Sequence, residues 1–455
     1  MLPWISSLRN RRKRAKMKHS LRTLTLGCSK NRVDTEHLVS QLGDEFLLIP
    51  EFEEDAAVDY LLVNTCGFIG DAKQESINAI LEAVEQKKAG LIGKIVVFGC
   101  LSQRYSTQMP SLISEVDAWF GARDLDPVLK YLGVKPDHSK MKYRKPSDCG
   151  PGTAYLKISE GCDRRCSYCA IPFIRGAHKS VPMESLLEEA RQLVASGVKE
   201  LILIAQDSTY YGLDLYKRRA LGELIEKLSE IEDLRWIRIH YSYPDSFPED
   251  VLYQMAHNPK LCRYLDIPLQ HISDSVLSKM RRNVDSAWTR NLIRRFREEV
   301  PGVALRTTMI VGHPGEGEKE FEELLDFCAE ARFERLGAFC YSEEEGTYGA
   351  RHYKDEVSEE EKKRRYDILM ERQSEISQNF NRSRVGTTVL AIVDDVVSGK
   401  AVCRSEWESP EVDGEIWAEL PEGISEESLP GSFVKVHIKD CDLYDLFGEI
   451  VSVEE

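Results

Sequence analysis

At 455 residues the chain is too long for one ordinary domain, and a prior of roughly two to four follows from length. The 42% apolar share is enough for real cores, yet no apolar run approaches the ~20 residues needed to cross a membrane. Net charge is −15 and unevenly spread, and twelve cysteines behind no secretory leader argue against a disulfide framework and for metal or redox work in a reducing, cytoplasmic setting.

In chain order, residues 1–19 hold seven Lys or Arg and no acid. No apolar stretch follows, so they read as a disordered extension; a basic arm for nucleic acid is the alternative. Residues 20–130 contain three strand-like runs, LRTLTLG (21–27), DYLLVN (59–64) and KIVVFG (94–99). One helix is expected to begin near Asp34, capped by its carboxylate, and another to run over 71–89 and stop at Gly90. Buried strands alternating with helices predict a small parallel sheet. Residues 131–150 read as a polar, proline-bearing linker.

From 151 to 383 the alternation resumes, with strands expected at AYLKIS, KELILIA, RWIRIHY, RYLDIPL, VALRTTMIVG and RLGAFCY. Six units are fewer than the eight of a closed barrel, which predicts a partial, open (β/α)6 barrel with its chemistry at the C-terminal strand ends. A charged helix over 358–383 is expected to show its charges to solvent. Residues 384–455 change to short β-branched runs, the pattern of a small antiparallel barrel of about five strands. The fold class is therefore α/β and multidomain.

Two sets of three cysteines stand out. Cys162, Cys166 and Cys169, spaced C-x3-C-x2-C, follow the first strand of the middle region. Thiolates suit zinc or iron–sulfur clusters. Zinc wants a fourth protein ligand, for which His178 is the nearest candidate; a [4Fe–4S] cluster on three cysteines keeps one iron free for a substrate. The spacing in this context resembles radical S-adenosylmethionine (SAM) enzymes, in which SAM chelates that iron. Cys28, Cys66 and Cys100 each end a strand-like run of the N-terminal region. Ends of parallel strands meet at one sheet edge, so these three are expected to converge as well. Glycines beside them are expected to let the backbone approach a cluster. Cys149, Cys262, Cys328, Cys340, Cys403 and Cys441 show no ligand spacing and read as structural.

Both triads, the (β/α)6 middle and the terminal barrel together resemble the radical-SAM methylthiotransferases, from about Ser20 onward. The wording LGCSKNRVDTEHL, NTCGFIGDAKQESI, GCDRRCSYCAIPFIRG, IAQDSTYYG, HYSYPD, PLQHISDSVLSKMRR and TTMIVGHPGEGEKEF is similar to the branch that modifies an aspartate of ribosomal protein S12. The tRNA-adenosine branch, the alternative, is expected to read closer to FGCQMN and NTCAVR. The resemblance implies two [4Fe–4S] clusters and SAM. The cluster on Cys162, Cys166 and Cys169 would split SAM to a 5′-deoxyadenosyl radical, and the cluster on Cys28, Cys66 and Cys100 would present methylated sulfur. It also implies a low-potential electron donor of the flavodoxin or ferredoxin type. SAM contacts are expected from Tyr168, Gln206, Asp207, Ser242, Gln270, Val311 and Gly312; His271 as a general base has no support beyond its position. The resemblance implies a terminal barrel of the TRAM type, often RNA-binding, but here residues 385–455 hold 4 Lys or Arg against 17 Asp or Glu. Such a barrel is expected to repel RNA and to attract a basic protein, S12 or the small ribosomal subunit, through acids such as Glu406, Glu408, Glu411 and Asp413. Containing neither triad, it is expected to be removable without unfolding the core.

Overall fold

The computed structural model describes residues 18–53, 56–147, 150–421 and 423–454; the basic extension, except its last two residues, and Cys149 lie outside them. Three aliphatic runs that end in Thr or Gly become adjacent parallel strands. They are β1 (His19–Thr25), β3 (Val58–Thr65) and β4 (Ile92–Gly99), with β2 (Phe46–Ile49) and β5 (Ala118–Trp119) on the edges, in the order β2-β1-β3-β4-β5. The central runs are near-continuously apolar because both faces are covered, and Leu62, Val63, Val96 and Val97 are fully buried. The edge strands are short, four residues in β2 (FLLI, with Leu47 and Leu48 exposed) and two in β5, and were not among the expected strands.

The first helix, Ser29–Val39, starts directly behind β1 with Cys28 at its N-cap. Asp34 is therefore mid-helix and does not cap it, contrary to expectation. Its buried carboxylate instead accepts from Arg175 (2.6 Å) and pairs with Lys157, both in the middle domain. The second helix, Gly70–Lys88, ends before Gly90 as read. The linker is not loose. It contains a 3-10 turn (His138–Tyr143), after which Arg144 is buried, donating to Glu189 (2.6 Å) and pairing with Glu36 and the Tyr155 carbonyl.

All six middle strands form where expected. They are β6 (Thr153–Lys157), β9 (Glu200–Ile204), β10 (Trp236–Ile239), β11 (Leu261–Asp266), β12 (Ala304–Val311) and β13 (Arg335–Cys340), all parallel in the order β13-β12-β11-β10-β9-β6. A two-stranded ribbon of β7 (Ser159–Glu160) and β8 (Lys179–Ser180) frames the loop after β6. The helix Glu318–Ala331 buries Phe321, Leu324, Leu325 and Cys328 against the sheet. The long helix Glu359–Arg384 departs from a solvated face: Lys362, Arg365 and Arg384 are buried, Arg365 donating to Glu316 (2.9 Å) and Arg384 pairing with Glu408. Buried charges persist where partners meet them.

The terminal strands β14 (Thr388–Val397), β15 (Lys400–Ser405), β16 (Ile416–Glu419), β17 (Phe433–Cys441) and β18 (Leu446–Glu454) close into a barrel. It is antiparallel except between β16 and β18, which run parallel. An odd number of strands cannot alternate direction all the way around a ring, so one parallel seam is unavoidable.

Of the acids expected to face a partner, Glu408 and Asp413 face inward, while Glu406 and Glu411 stay partly exposed and pair within the chain. The loop between β15 and β16 packs against the inward-pointing residues of the open barrel. There Asp413 accepts from Tyr264 (2.7 Å), Ser409 bonds His240 (2.8 Å) and Glu408, 1% exposed, accepts from Arg335 (3.0 Å). Glu406 accepts from Arg263 (2.6 Å) and Glu411 from Arg32 (2.6 Å). From the middle domain, Glu200 accepts from both Arg238 (2.9 Å) and the barrel's Arg404 (2.8 Å). Burial alone would raise the Glu200 carboxyl, but these two guanidiniums hold it down at about 2. Removing the barrel would leave Glu200 and Arg238 short of partners, so the expectation of a dispensable barrel does not survive.

Candidate active site

The N-terminal triad is built by strand geometry. β1, β3 and β4 lie side by side and point the same way, and Cys28, Cys66 and Cys100 follow their C-terminal ends. Gly27 (φ +92°) is required because a Cβ there would stand 2.6 Å from the Cys66 Cβ. At Gly99 (φ +103°) a Cβ would stand 2.4 Å from Asn64 Oδ1. These glycines let the strand ends, and with them the cysteines, approach one another. Ser76 of the second helix fixes Cys66, accepting from its N–H (3.0 Å) and donating to its carbonyl (2.9 Å). Burial pushes the Cys100 thiol up to about 12 against the pull of Arg175, and the Cys28 and Cys66 thiols beside it add to the rise.

The middle triad is built locally. The loop after β6 is tied by Cys162 N–H to the Gly176 carbonyl (3.1 Å) and Cys169 N–H to the Cys166 carbonyl (3.2 Å). Burial pushes the Cys162 thiol up to about 12 as well. The loop ends in a short helix, Ile171–Arg175, whose last residue crosses to the other triad. Arg175 donates to Cys100 Sγ (3.2 Å), to Asp34 (2.6 Å) and to Glu160 (3.2 Å), and pairs with Asn31.

All six cysteines line one cavity of about 550 Å³. Tyr168, Gln206, Ser242 and Gln270 line it too. Asp207 stands behind the wall, accepting from Arg164 (2.9 Å) and Thr209 (2.6 Å). Val311 is buried in the apolar core, and the Gly312 N–H donates to Glu316 (2.8 Å), so neither borders this cavity. His271 is fully buried, its Nδ1 accepting from the Ser273 N–H (3.0 Å), and His178 bonds Ser180 (3.1 Å); neither reaches a triad. Residues missed by sequence reasoning are Lys30, Arg164, Arg175, Tyr241, Tyr243 and Arg282. All six fall inside the quoted motifs, Lys30 in LGCSKNRVDTEHL, Arg164 and Arg175 in GCDRRCSYCAIPFIRG, Tyr241 and Tyr243 in HYSYPD and Arg282 in PLQHISDSVLSKMRR, and that membership was the signal that could have found them.

Whether these residues suit the implied cofactors can be tested on the cavity itself. Among the described residues each donor set is three thiols with no fourth protein ligand lining the cavity beside it, which fits a cluster that keeps one iron open. Among the described residues no three His, Cys, Asp or Glu side chains converge on a single-ion site. Gln206 Oε1, Ser242 Oγ and Arg164 Nη2 are buried without a hydrogen-bond partner. Such orphans call for a polar guest, and SAM offers an amine, a carboxylate and ribose hydroxyls. The donor sets and the orphaned atoms fit.

Residues 156–328 match the radical SAM superfamily, residues 20–121 the uncharacterized protein family UPF0004 and residues 385–451 the TRAM domain. Among solved structures, the radical SAM methyltransferase TsrM from Kitasatospora setae is similar in fold (TM-score 0.55, 15% identity, 70% of this chain and 73% of that one). So is the cobalamin-dependent SAM radical enzyme OxsB (TM-score 0.50, 14% identity, 80% and 56%). The open six-stranded barrel with its three-cysteine loop thus defines a radical-SAM enzyme. Curated relatives narrow this. Ribosomal protein uS12 methylthiotransferase RimO of Bacteroides fragilis is 48% identical over 428 residues, covering 94% of this chain and 98% of the relative. The protein of that name from Parabacteroides distasonis is 47% identical over 435 residues, covering 96% and 100%. The chain belongs to the ribosomal protein uS12 methylthiotransferase family.

Proposed function

We propose that this enzyme places a methylthio group on the β-carbon of an aspartate of ribosomal protein S12, in the cytoplasm, using one SAM as radical source and another as methyl donor. The observation that carries the reading is the single cavity shared by both triads: hydrogen removal and sulfur delivery must meet at one carbon. Cys162, Cys166 and Cys169 would hold one [4Fe–4S] cluster and Cys28, Cys66 and Cys100 the other. When bound, the first supplies the electron that splits SAM and the second the sulfur to be transferred, chemistry that acids and bases alone cannot do at such a carbon.

The chain's own residues bind, orient and exclude water. Gln206, Ser242, Gln270 and Tyr168 are placed to contact SAM. Asp207 acts through Arg164, holding the guanidinium against the Tyr243 ring, 3.9 Å from its centroid. Phe68, Ile69, Pro268 and Phe339 give the cavity apolar walls that keep water from a reactive radical. An electron donor of the flavodoxin or ferredoxin type would approach the cleft at Cys166 and Cys169, which is rimmed by the exposed Arg165, Arg281 and Arg351 and suits an acidic partner. Mass spectrometry of S12 from cells with and without the gene tests the whole reading: a methylthio mass increment on one aspartate, present only with the gene, is expected. An increment on tRNA adenosine and none on S12 would transfer the assignment to the tRNA branch.

A further inference from the structure

The arginines lining the cavity are engaged, and one lysine is not. Arg164 donates to Asp207 (2.9 Å) and Asp245 (2.8 Å), and Arg175 to Asp34 and Glu160. Arg282 donates to the Tyr168 hydroxyl (3.2 Å) and the Pro268 carbonyl (2.7 Å). Lys30, on the first helix, is 6% exposed and lines the same cavity. Its ammonium rests on the face of Tyr241, 3.0 Å from the ring centroid. Among the described residues it meets no carboxylate and no hydrogen-bond acceptor. Tyr241 holds that ring in place from a left-handed backbone (φ +60°), a rare conformation for an aromatic residue. The ammonium opens onto the cavity without a counter-ion, less well solvated than in bulk water, and a ring face repays only part of the loss. The cavity therefore keeps a place for an anion at a point fixed by the N-terminal domain.

The cysteines do not fill that place. Arg175 already serves Cys100, and Arg282, through Tyr168, stands beside the loop triad. The guest that must bring an anion here is the substrate side chain, whose carboxylate is one bond from the carbon that reacts. Resting on the function proposed above, we infer that Lys30 binds the carboxylate of the target aspartate, holds its β-carbon in the space between the two triads and makes the site select aspartate over a neutral side chain.

The test uses fully loaded enzyme and S12 carrying either Asp or Asn at the modified position, with binding titrated before SAM is added. Wild type is expected to bind the Asp form about 10- to 100-fold more tightly than the Asn form, the range for a hydrogen bond to a charged group. Lys30→Gln should bind the two forms alike and lose a similar factor in kcat/KM on the Asp form. It should keep its iron, its SAM affinity and 5′-deoxyadenosine formation without S12, and Lys30→Arg should recover part of the preference. A Lys30→Gln enzyme that still prefers the Asp form overturns the assignment. So does one that loses iron from the N-terminal triad, which would make Lys30 a cluster counter-charge, or one that loses SAM affinity, which would give its anion to SAM. Wild type that leaves S12 unmodified under these conditions would overturn the functional reading instead.

Discussion

The two cysteine triads reach one cavity by different routes. Cys162, Cys166 and Cys169 lie in a single loop, so their spacing in the chain nearly fixes their spacing in space. Cys28, Cys66 and Cys100 sit at the ends of three strands and come together only when β1, β3 and β4 are in register. A loop site tolerates change in the sheets around it. A strand-end site inherits every error of strand pairing, and here it also leans on a cation, Arg175, lent by the other domain.

That contrast can be broken most sharply at the cysteines. Cys166→Ala should abolish 5′-deoxyadenosine formation and with it all product, whereas the triple Cys28, Cys66 and Cys100→Ala variant should keep SAM cleavage and lose only thiolation. Iron should fall from about eight to about four per chain in the triple variant; zinc at stoichiometric level, or complete loss of iron, would refute two separable sites. Arg175→Met comes next. It strips a buried counter-charge from Asp34 and Glu160 and should cost about 3–5 kcal/mol in denaturant unfolding, with iron lost from the strand-end site first. Gly27→Ala should be milder. Strain at a left-handed position is worth about 1–3 kcal/mol, and the crowding of Cys66 should again lower iron in the strand-end site alone. Equal loss from both sites would erase the proposed difference.

The smallest effect is expected from acid. In Glu189, burial works to raise the carboxyl, but Arg144 and His37 beside it hold it down at about 2, from an ordinary 4.5. A depressed carboxyl contributes stability that is complete above its ordinary value and is lost as pH falls toward its folded value. Hydrogen exchange on metal-free protein should therefore show the helix Ser29–Val39, which carries His37 and starts at Cys28, loosening between pH 4.5 and about 2. Glu189→Gln should blunt that dependence, and an unchanged profile would mean the joint is held by packing alone.

What the sequence made legible follows the same division. Six strands, two triads and five barrel runs were readable because each is a local pattern of apolar residues, glycines or thiols. Asp34 was misread because a carboxylate near a helix start resembles a cap, and only the partner domain reveals Lys157 and Arg175 opposite it. Glu408 of the terminal barrel was misread because a charge count has no direction: it looks like surface in the sequence and is buried against Arg335 and Arg384. The pairing of Lys30 with Tyr241 was hidden for a related reason, since they lie in two separate quoted motifs and acquire meaning only by touching.

The inserted loop between β15 and β16 also sets an order of events. Synthesis runs from the N-terminus, so residues 406–413 leave the ribosome after every strand of the open barrel they pack into. Until then Arg238 lacks the carbonyls of Ser405 and Glu406, and Glu200 lacks Arg404. The interior of the barrel is thus finished by a segment made after all of its own strands. A nascent chain that stalls short of that loop would carry all six cavity-lining cysteines on an unfinished barrel, with contacts of long sequence separation still to form.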